Sequence, residues 1–176
     1  MTIRPATVAA QQAVRDVLLA AFPGAEGETV AKLAIELLKD ESTPPTLSLV
    51  AETEGAVVGY VAFSPVSFGP DERTQGYILA PLGVAPGHQK HRIGSRLVES
   101  GKQQLTKMGA AILFVYGDPG YYGRFGFTAE AAAQYIPPYP LQYPFGWQAV
   151  VLNGGSAGSS PVRIACVPAL CDPKLW

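Results

Sequence analysis

A short segment, Pro86 to Ser95, combines turn residues with cationic and hydrogen-bonding side chains just before a predicted helix. The start of an α-helix presents amide N–H groups without intrahelical partners and a partial positive charge, so it stabilises an anion. Gly94 leaves the backbone open where phosphate oxygens would approach, and Ser95 adds a hydroxyl group. The segment therefore predicts a phosphate or pyrophosphate site, although a basic, solvated helix cap explains the same charges.

Two motifs resemble those of a known family. Residues 81–94, Pro-Leu-Gly-Val-Ala-Pro-Gly-His-Gln-Lys-His-Arg-Ile-Gly, end in a Gln-x-x-Arg-x-Gly pattern. This pattern resembles the acetyl-CoA signature of the GNAT superfamily of N-acetyltransferases, usually Gln/Arg-x-x-Gly-x-Gly/Ala. Residues 121–127, Tyr-Tyr-Gly-Arg-Phe-Gly-Phe, are similar to the Tyr-Tyr-x-Arg-Phe-Gly-Phe pattern of a bacterial branch of uncharacterised acetyltransferases. Two motifs in this order are far more specific than either alone, and the resemblance extends over most of the chain.

The resemblance implies that the first motif binds acetyl-CoA or CoA as a co-substrate. In the family, the strand before the loop splays from its neighbour, and the pantetheine arm pairs with the exposed backbone like an added strand. An amide N–H near Leu82 would then donate a hydrogen bond to the thioester carbonyl and stabilise the charge that develops there. The positions that match the cofactor-binding residues are Leu82, Gly83, Val84, Gln89, Lys90, His91, Arg92, Ile93, Gly94 and Ser95.

Arg92 departs from the family pattern, because it stands where the first glycine usually does. Arginine adopts a positive φ less readily than glycine, and its side chain needs room. We therefore expect Arg92 to take an ordinary helical conformation and to point toward the phosphates or solvent, where it adds positive charge.

Tyr122 matches the position at which the family commonly has a general acid. A phenol with a pKa of about 10 is a suitable proton donor to an alkyl thiolate. The neighbouring Tyr121 is the alternative, although packing against the sheet is the favoured interpretation for it. The resemblance implies direct attack by the amine without an acyl-enzyme, and Cys166 has no histidine within a few residues to activate it.

The general base has several candidates. The predicted strand Gly76 to Val84 contains no Asp, Glu or His, so no carboxylate there can take the proton of the amine. Asp118, Glu52 and water remain alternatives. No metal is expected, because His88 and His91 have no third ligand near them in the sequence.

Three functions fit these residues. The leading hypothesis is an N-acetyltransferase that acts on an amine of a small molecule or of a protein. A CoA-binding sensor or interaction module without turnover is an alternative, favoured by the missing acid in the strand before the loop and opposed by Tyr122. An acyltransferase with a longer acyl donor is another, because residues Tyr135 to Trp147 could line an apolar pocket. Core packing of those aromatic residues is the preferred interpretation.

The spacing of apolar residues predicts the elements that position these motifs. Glu54 and Gly55 predict a hairpin, and strand, helix, strand over residues 76–116 predicts a parallel crossover. The predicted strands are Thr2 to Ala6, Leu47 to Thr53, Ala56 to Pro65, Gly76 to Val84, Ala111 to Tyr116, Trp147 to Leu152 and Val162 to Val167. The predicted helices are one over Val14 to Ala21, one from about Glu28 to Lys39, one from Ile93 to Met108 and a short one over Tyr121 to Phe125. Tyr135 to Pro144 is expected to be an ordered surface crossing, and Asn153 to Ser160 a flexible loop.

The elements predict a mixed α/β (α+β) fold of the GNAT type. We expect a mostly antiparallel central sheet of about seven strands with a central parallel crossover, flanked by about four helices. The 176 residues fall within the usual size of one domain, so a single acyl-CoA N-acyltransferase domain over residues 1–176 is expected.

Composition and charge limit the classes of binding partner and the compartment that we expect for this chain. A formal net charge of −1 gives no overall field to hold the chain on nucleic acid or on an anionic membrane. Arg4, Arg15 and Asp16 interrupt the apolar run that a signal peptide or a spanning helix needs. The two cysteines, Cys166 and Cys171, fit structural thiols in a reducing compartment. We expect a cytoplasmic protein without nucleic-acid or membrane partners, and a homodimer is compatible with the sequence.

Overall fold

The computed structural model describes residues 1–69, 76–154 and 160–176. Within these ranges the chain forms nine strands and five α-helices, joined by short 3-10 turns. The strands are β1 (Thr2–Pro5), β2 (Leu47–Thr53), β3 (Ala56–Ser67), β4 (Gly76–Val84), β5 (Ile112–Tyr116), β6 (Tyr135–Ile136), β7 (Trp147–Val151), β8 (Val162–Arg163) and β9 (Ala165–Cys166). The helices are α1 (Gln11–Ala21), α2 (Ala25–Lys39), α3 (Ile93–Lys107), α4 (Pro119–Tyr122) and α5 (Ala129–Ala132).

The main sheet has seven strands. Six follow the order β1, β2, β3, β4, β5, β7, and β9 pairs with β3 as the seventh. β4 and β5 run parallel, whereas β1 with β2, β2 with β3, β3 with β9, and β5 with β7 are antiparallel pairs. This arrangement confirms the predicted mixed, mostly antiparallel fold with a parallel crossover. Internal contacts divide the chain into two compact units, residues 1–63 with 80–101 and residues 64–79 with 102–176.

The first unit contains the predicted hairpin and the two N-terminal helices. Glu54 and Gly55 have φ values of 51° and 78°, which make the tight turn between β2 and β3. α2 begins at Ala25, three residues before the predicted start at Glu28, because Gly24 at φ 67° turns the chain into the helix. The residues that α1 and α2 bury are Val14, Val17, Leu18, Gly27, Ala31, Leu33, Ala34 and Leu37.

In the same unit, glycines let α3 approach β3 closely. A Cβ atom on Gly59 would lie 3.0 Å from Leu97 Cδ1 and 3.1 Å from Ile93 Cγ2. A Cβ atom on Gly101 would overlap the ring of Phe63, a side chain that is fully buried. The beginning of α3, where the candidate phosphate site lies, therefore packs tightly on β3 through Ile93, and the middle of the helix leaves no room for a methyl group at Gly101.

We expect Gly101→Ala to lower the free energy of unfolding by about 2 kcal/mol, because the buried Phe63 ring must move. The higher helix propensity of alanine, worth about 1 kcal/mol relative to glycine, opposes this steric cost but is smaller. Urea denaturation measures the difference. Gln103→Ala, at an exposed position of α3, is the matched control and should change stability by less than about 0.5 kcal/mol. A Gly101→Ala variant more stable than the natural chain would contradict the described packing.

The second unit has an aromatic core around β5. Phe114 stacks on Trp147 with ring centroids 5.2 Å apart and meets Tyr135 edge-on at 4.9 Å. The Trp147 indole N–H donates to the Tyr135 carbonyl at 2.9 Å. The predicted packing of the stretch from Tyr135 to Trp147 therefore holds at its two ends.

The prediction of one last strand over Val162 to Val167 is wrong, because the segment divides at Ile164. Val162–Arg163 pairs with β6 in a separate two-stranded parallel sheet, whereas Ala165–Cys166 pairs with β3. The side chain of Ile164 is buried, and its N–H donates to the Ile136 carbonyl at 2.9 Å. The loop predicted for Asn153 to Ser160 lies mostly outside the described residues.

Candidate functional site

The end of β4 extends past its pairing with β5. The parallel register runs from Gly76 opposite Ile112 to Leu79 opposite Val115 and stops there. Pro81, which follows a cis peptide bond, has no N–H group to donate at this position. Leu82 to Val84 therefore lie beyond the part of β4 that pairs with β5, although β4 remains a neighbour of β3 in the sheet.

Gly83 has a packing role that the sequence motif did not reveal. A Cβ atom there would lie 2.6 Å from Leu18 Cδ2 and 3.2 Å from Phe22 Cε2, both on or next to α1. The missing side chain lets α1 lie directly on the end of β4. Within the first unit, α1 thus supports the strand that leads into the loop.

Gln89 fastens the loop to the strand. Its side-chain amide donates to the Val84 carbonyl at 3.0 Å, and its backbone N–H donates to Pro86 at 3.4 Å. The Gln89 side chain is therefore engaged by the protein itself. Its geometry suits a residue that shapes the loop.

The loop turns into α3 through two left-handed residues. Lys90 has a φ of 66° and Arg92 a φ of 63°. The expectation that Arg92 adopts an ordinary helical conformation is therefore wrong. Its carbonyl accepts the first helical hydrogen bond, from Arg96 N–H at 3.0 Å, so the chain must make its sharp turn at Arg92 itself. The left-handed conformation costs an L-residue about 1 kcal/mol or more, and such strain is concentrated at functional sites.

The start of α3 has the features of an anion site. The N–H groups from Arg92 to Ser95 have no acceptor within the helix, since each would need a carbonyl from a preceding turn. The side chain of Ile93 is buried, so only its backbone is available. Lys90, His91 and Arg92 are exposed, and two of these side chains are cationic. Unpaired amides, the helix dipole and positive side chains here favour the same ligand chemistry, a phosphate or pyrophosphate.

Tyr122 belongs to the second unit, at the end of the short helix α4. The Asp118 side chain accepts the Gly120 N–H at 2.9 Å and caps this helix, and the Asp118 carbonyl accepts the Tyr122 N–H at 2.9 Å. The Tyr122 ring lies against Gly117, where a Cβ atom would be 2.6 Å from the ring Cε2. Gly117, which the sequence reasoning did not single out, therefore makes room for the tyrosine.

Aromatic neighbours enclose the Tyr122 ring. Tyr121 and Phe127 meet it edge-on, with centroid distances of 5.0 and 5.8 Å. Burial raises the pKa of the Tyr122 phenol well above its ordinary value, and the nearby Tyr121 and Asp118 raise the pKa further. The hydroxyl group therefore keeps its proton throughout the neutral pH range and is available as a donor.

Tyr121 is held by packing. The Arg124 guanidinium carbon lies 4.4 Å from the centre of the Tyr121 ring, and Arg124 Nε donates to the Tyr121 carbonyl at 3.2 Å. Burial raises the pKa of the Tyr121 phenol, while Arg124 lowers it. These contacts agree with the structural role preferred for Tyr121.

The candidate bases and nucleophiles are largely engaged. Glu52 forms an ion pair with Arg4 at 2.9 Å, and Asp118 caps α4. Burial, with a smaller effect of Cys171, raises the pKa of the Cys166 thiol to about 12. Cys166 is thus a neutral thiol at physiological pH, which disfavours an acyl-enzyme at this residue.

The described ranges contain no group of three His, Cys, Asp or Glu side chains placed to hold a metal ion. None of their helices is long and apolar enough to cross a membrane. The structure brings the residues from Leu82 to Ser95 together in the first unit, and it places Tyr122, Asp118 and Cys166 in the second.

A model of the acetyltransferase (GNAT) family matches residues 12–127, about two thirds of the chain. The chain belongs to the GNAT family. Among its relatives, the uncharacterised N-acetyltransferase YjhQ of Escherichia coli K12 is 42% identical over 113 residues, which are 63% of this chain and 62% of YjhQ. The uncharacterised N-acetyltransferase YhbS of the same strain is 41% identical over 108 residues, 60% of this chain and 62% of YhbS. The matched segment thus spans about three fifths of these curated relatives.

Solved GNAT structures extend the similarity over more of the chain. The crystal structure of Escherichia coli YhbS in complex with CoA has a TM-score of 0.75 and 31% identity, and covers 86% of this chain and 81% of that one. A GNAT acetyltransferase from Brucella melitensis in complex with acetyl-CoA has a TM-score of 0.67 and 33% identity, covering 92% and 93%. The two motifs recognised in the sequence are thus part of a family relationship that includes most of the fold.

Proposed function

We propose that this GNAT chain transfers an acetyl group from acetyl-CoA to an amine of a small molecule or of a protein, by direct attack within a ternary complex. The observation that carries the proposal is the turn into α3, where left-handed Lys90 and Arg92 precede unpaired helix amides. The CoA and acetyl-CoA complexes of its structural relatives support the same ligand.

The residues present fit acetyl-CoA. We propose that the amides of Ile93, Gly94 and Ser95 bind the pyrophosphate, because this end of α3 carries unpaired N–H groups. Lys90, His91 and Arg92 would add donors and charge from the exposed side of the turn. The backbone of Leu82, Gly83 and Val84, past the part of β4 that pairs with β5, would hydrogen-bond the pantetheine arm. Gln89 would act indirectly, by holding the loop on the Val84 carbonyl.

When bound, acetyl-CoA supplies an acetyl thioester for the amine to attack. We propose that the Leu82 N–H donates a hydrogen bond to the thioester carbonyl oxygen. The Tyr122 hydroxyl, which burial keeps protonated, would donate its proton to the departing sulfur. Glu52 is paired with Arg4 and the Asp118 carboxylate caps α4, so water is left to receive the proton of the amine.

The test is turnover of acetyl-CoA by the purified chain with a panel of small amines and peptide amines. Thiol release is followed with a thiol reagent, and the acetylated product is identified by mass spectrometry. Acetylation of an amine above the rate without protein is the expected result. Tight CoA binding without turnover of any amine would instead favour a CoA-binding sensor. The ion pair between Glu52 and Arg4 is consistent with that alternative, because it occupies a candidate base. A longer acyl-CoA that reacts faster than acetyl-CoA would change the assigned donor.

Arg92→Gly separates backbone strain from charge at the proposed site. Glycine relieves the left-handed conformation, so the free energy of unfolding should rise by about 0.5 to 1 kcal/mol. Loss of the guanidinium should weaken acetyl-CoA binding by about tenfold. Urea denaturation and calorimetric titration measure the two effects. Arg92→Lys retains both the strain and the charge and is the control, and a glycine variant that binds acetyl-CoA more tightly would contradict a role for the charge.

We further propose that residues 1–176 act as one acyl-CoA N-acyltransferase domain in the cytoplasm. Cys166 and Cys171 are both free thiols, which suits a reducing compartment. The net charge of −1 gives no support for nucleic-acid or membrane partners. A homodimer remains compatible with these properties, and sedimentation velocity would measure it.

A further inference from the structure

Two aromatic side chains in the second unit project into solvent. Tyr143 and Phe145 are 53% and 67% exposed, with ring centroids 6.0 Å apart and ring planes tilted by 56°. They do not follow the packing expected for the aromatic residues between Tyr135 and Trp147. Exposed aromatic pairs of this kind are typical of binding surfaces, because burial against a ligand recovers their apolar area.

The backbone that carries the pair is firmly held. The Tyr143 N–H donates to the Tyr116 hydroxyl at 2.8 Å, and the Gly146 N–H donates to the Tyr143 carbonyl at 2.9 Å. The buried Gln148 side chain donates to the carbonyls of Gly146 and Gly117, both at 3.2 Å. The two rings are thus presented by an ordered segment fixed to the end of β5.

Gly117 connects this segment to Tyr122. Its N–H donates to the Gly146 carbonyl at 3.0 Å, and its missing side chain makes room for the Tyr122 ring. A Cβ atom on Gly146 would lie only 2.9 Å from the Gly117 carbonyl oxygen. The aromatic pair and the proposed acid are therefore held by the same short piece of backbone after β5.

The chain segment that carries the pair is uncharged. Residues 131–162 contain no Asp, Glu, Lys, Arg or His. This segment itself supplies no counter-ion to a charged substituent, whereas the ring faces suit a flat apolar one. The chemistry therefore favours a neutral, aromatic ligand group.

We propose that Tyr143 and Phe145 are specificity-determining residues that bind an aromatic group on the acceptor amine. The inference rests on the proposed acetyl transfer, with Tyr122 as its acid. The substrate class is a primary amine that carries a neutral aromatic ring, and stacking on the exposed pair distinguishes it from alkyl amines.

The experiment compares 2-phenylethylamine with butylamine as acceptors at saturating acetyl-CoA. Phe145→Ala and Tyr143→Ala should each lower kcat/KM for 2-phenylethylamine by about tenfold, mainly through KM, because stacking is lost in the bound state. For butylamine the change should stay within about twofold. Val151→Ala, which truncates an exposed apolar side chain on β7, is the matched control and should alter neither amine.

Equal losses for both amines, or no loss for 2-phenylethylamine, would overturn the inference and leave the proposed acetyl transfer in place. If neither amine is acetylated, calorimetric titration of 2-phenylethylamine into the CoA-saturated protein tests the aromatic site separately. Binding by the natural protein that Phe145→Ala abolishes would support the aromatic site, even though the proposed acetyl transfer has failed. Absence of binding by the natural protein would overturn the aromatic site. A dimer that Phe145→Ala converts to monomer would mean that a second copy covers the pair, which also overturns the inference.

Discussion

Gly94→Trp should reduce the affinity for acetyl-CoA by about 100-fold or more, because an indole would fill the space above the first amides of α3. These amides, together with the exposed side chains of Lys90 and Arg92, are the groups proposed to bind the pyrophosphate. Calorimetric titration of acetyl-CoA measures the loss. A donor that lacks the pyrophosphate, S-acetylpantetheine, should bind weakly to both proteins and should show little difference between them.

Gln103→Trp is the control for this experiment. It places the same side chain on an exposed position of α3, away from the helix N-terminus, and should leave binding unchanged. Thermal unfolding of both variants shows whether the fold persists. Acetyl-CoA binding by a folded Gly94→Trp variant at the natural affinity would exclude the start of α3 as the pyrophosphate site.

Tyr122→Phe should lower kcat by about 100-fold or more while acetyl-CoA affinity stays unchanged, because a general acid contributes only to the chemical step. Since burial raises the pKa of this phenol, the natural enzyme should show no loss of kcat from tyrosine ionisation between neutral pH and about pH 9. The pH profile of kcat and calorimetric titration of acetyl-CoA measure these effects.

Tyr121→Phe is the matched control, because Tyr121 is the adjacent phenol and is held by Arg124. It should retain kcat within about threefold. If Tyr121→Phe loses activity and Tyr122→Phe does not, the acid has been assigned to the wrong tyrosine. If both variants remain active, a phenol is not the proton donor.

Local signals in the sequence were sufficient to predict the elements around the loop. Gly76 to Val84 and the start of the helix at Ile93 agree with β4 and α3, since apolar spacing and Pro86-Gly87 mark these boundaries within a few residues. The turn at Glu54 and Gly55 was predicted for the same reason. Each of these features depends on neighbours in the chain.

The conformation of Arg92 depends on more than its neighbours. An arginine by itself favours the right-handed region, but the path from Gln89 into α3 requires a left-handed residue at this position. The glycine that the family usually has there was the available signal. A glycine at this position indicates that the backbone must be left-handed there, in addition to any need for space around the side chain.

The aromatic residues after Tyr135 show a second limit. Tyr135 and Trp147 pack around Phe114, whereas Tyr143 and Phe145 project outward, although all four lie in one stretch of similar composition. Burial depends on the partners that tertiary structure supplies. The sequence therefore identifies the aromatic residues of this stretch but does not predict which of them are exposed to a ligand.

The left-handed turn at Lys90 and Arg92 has a consequence for protein engineering. A library of variants screened only for heat resistance should enrich glycine at both positions, because each substitution relieves backbone strain. The surviving proteins would tolerate higher temperature and would have lost two positive charges at the start of α3. Selection for thermal stability would thus remove the natural side chains of this turn. The accompanying loss of acetyl-CoA affinity would be detected only by an assay that includes acetyl-CoA.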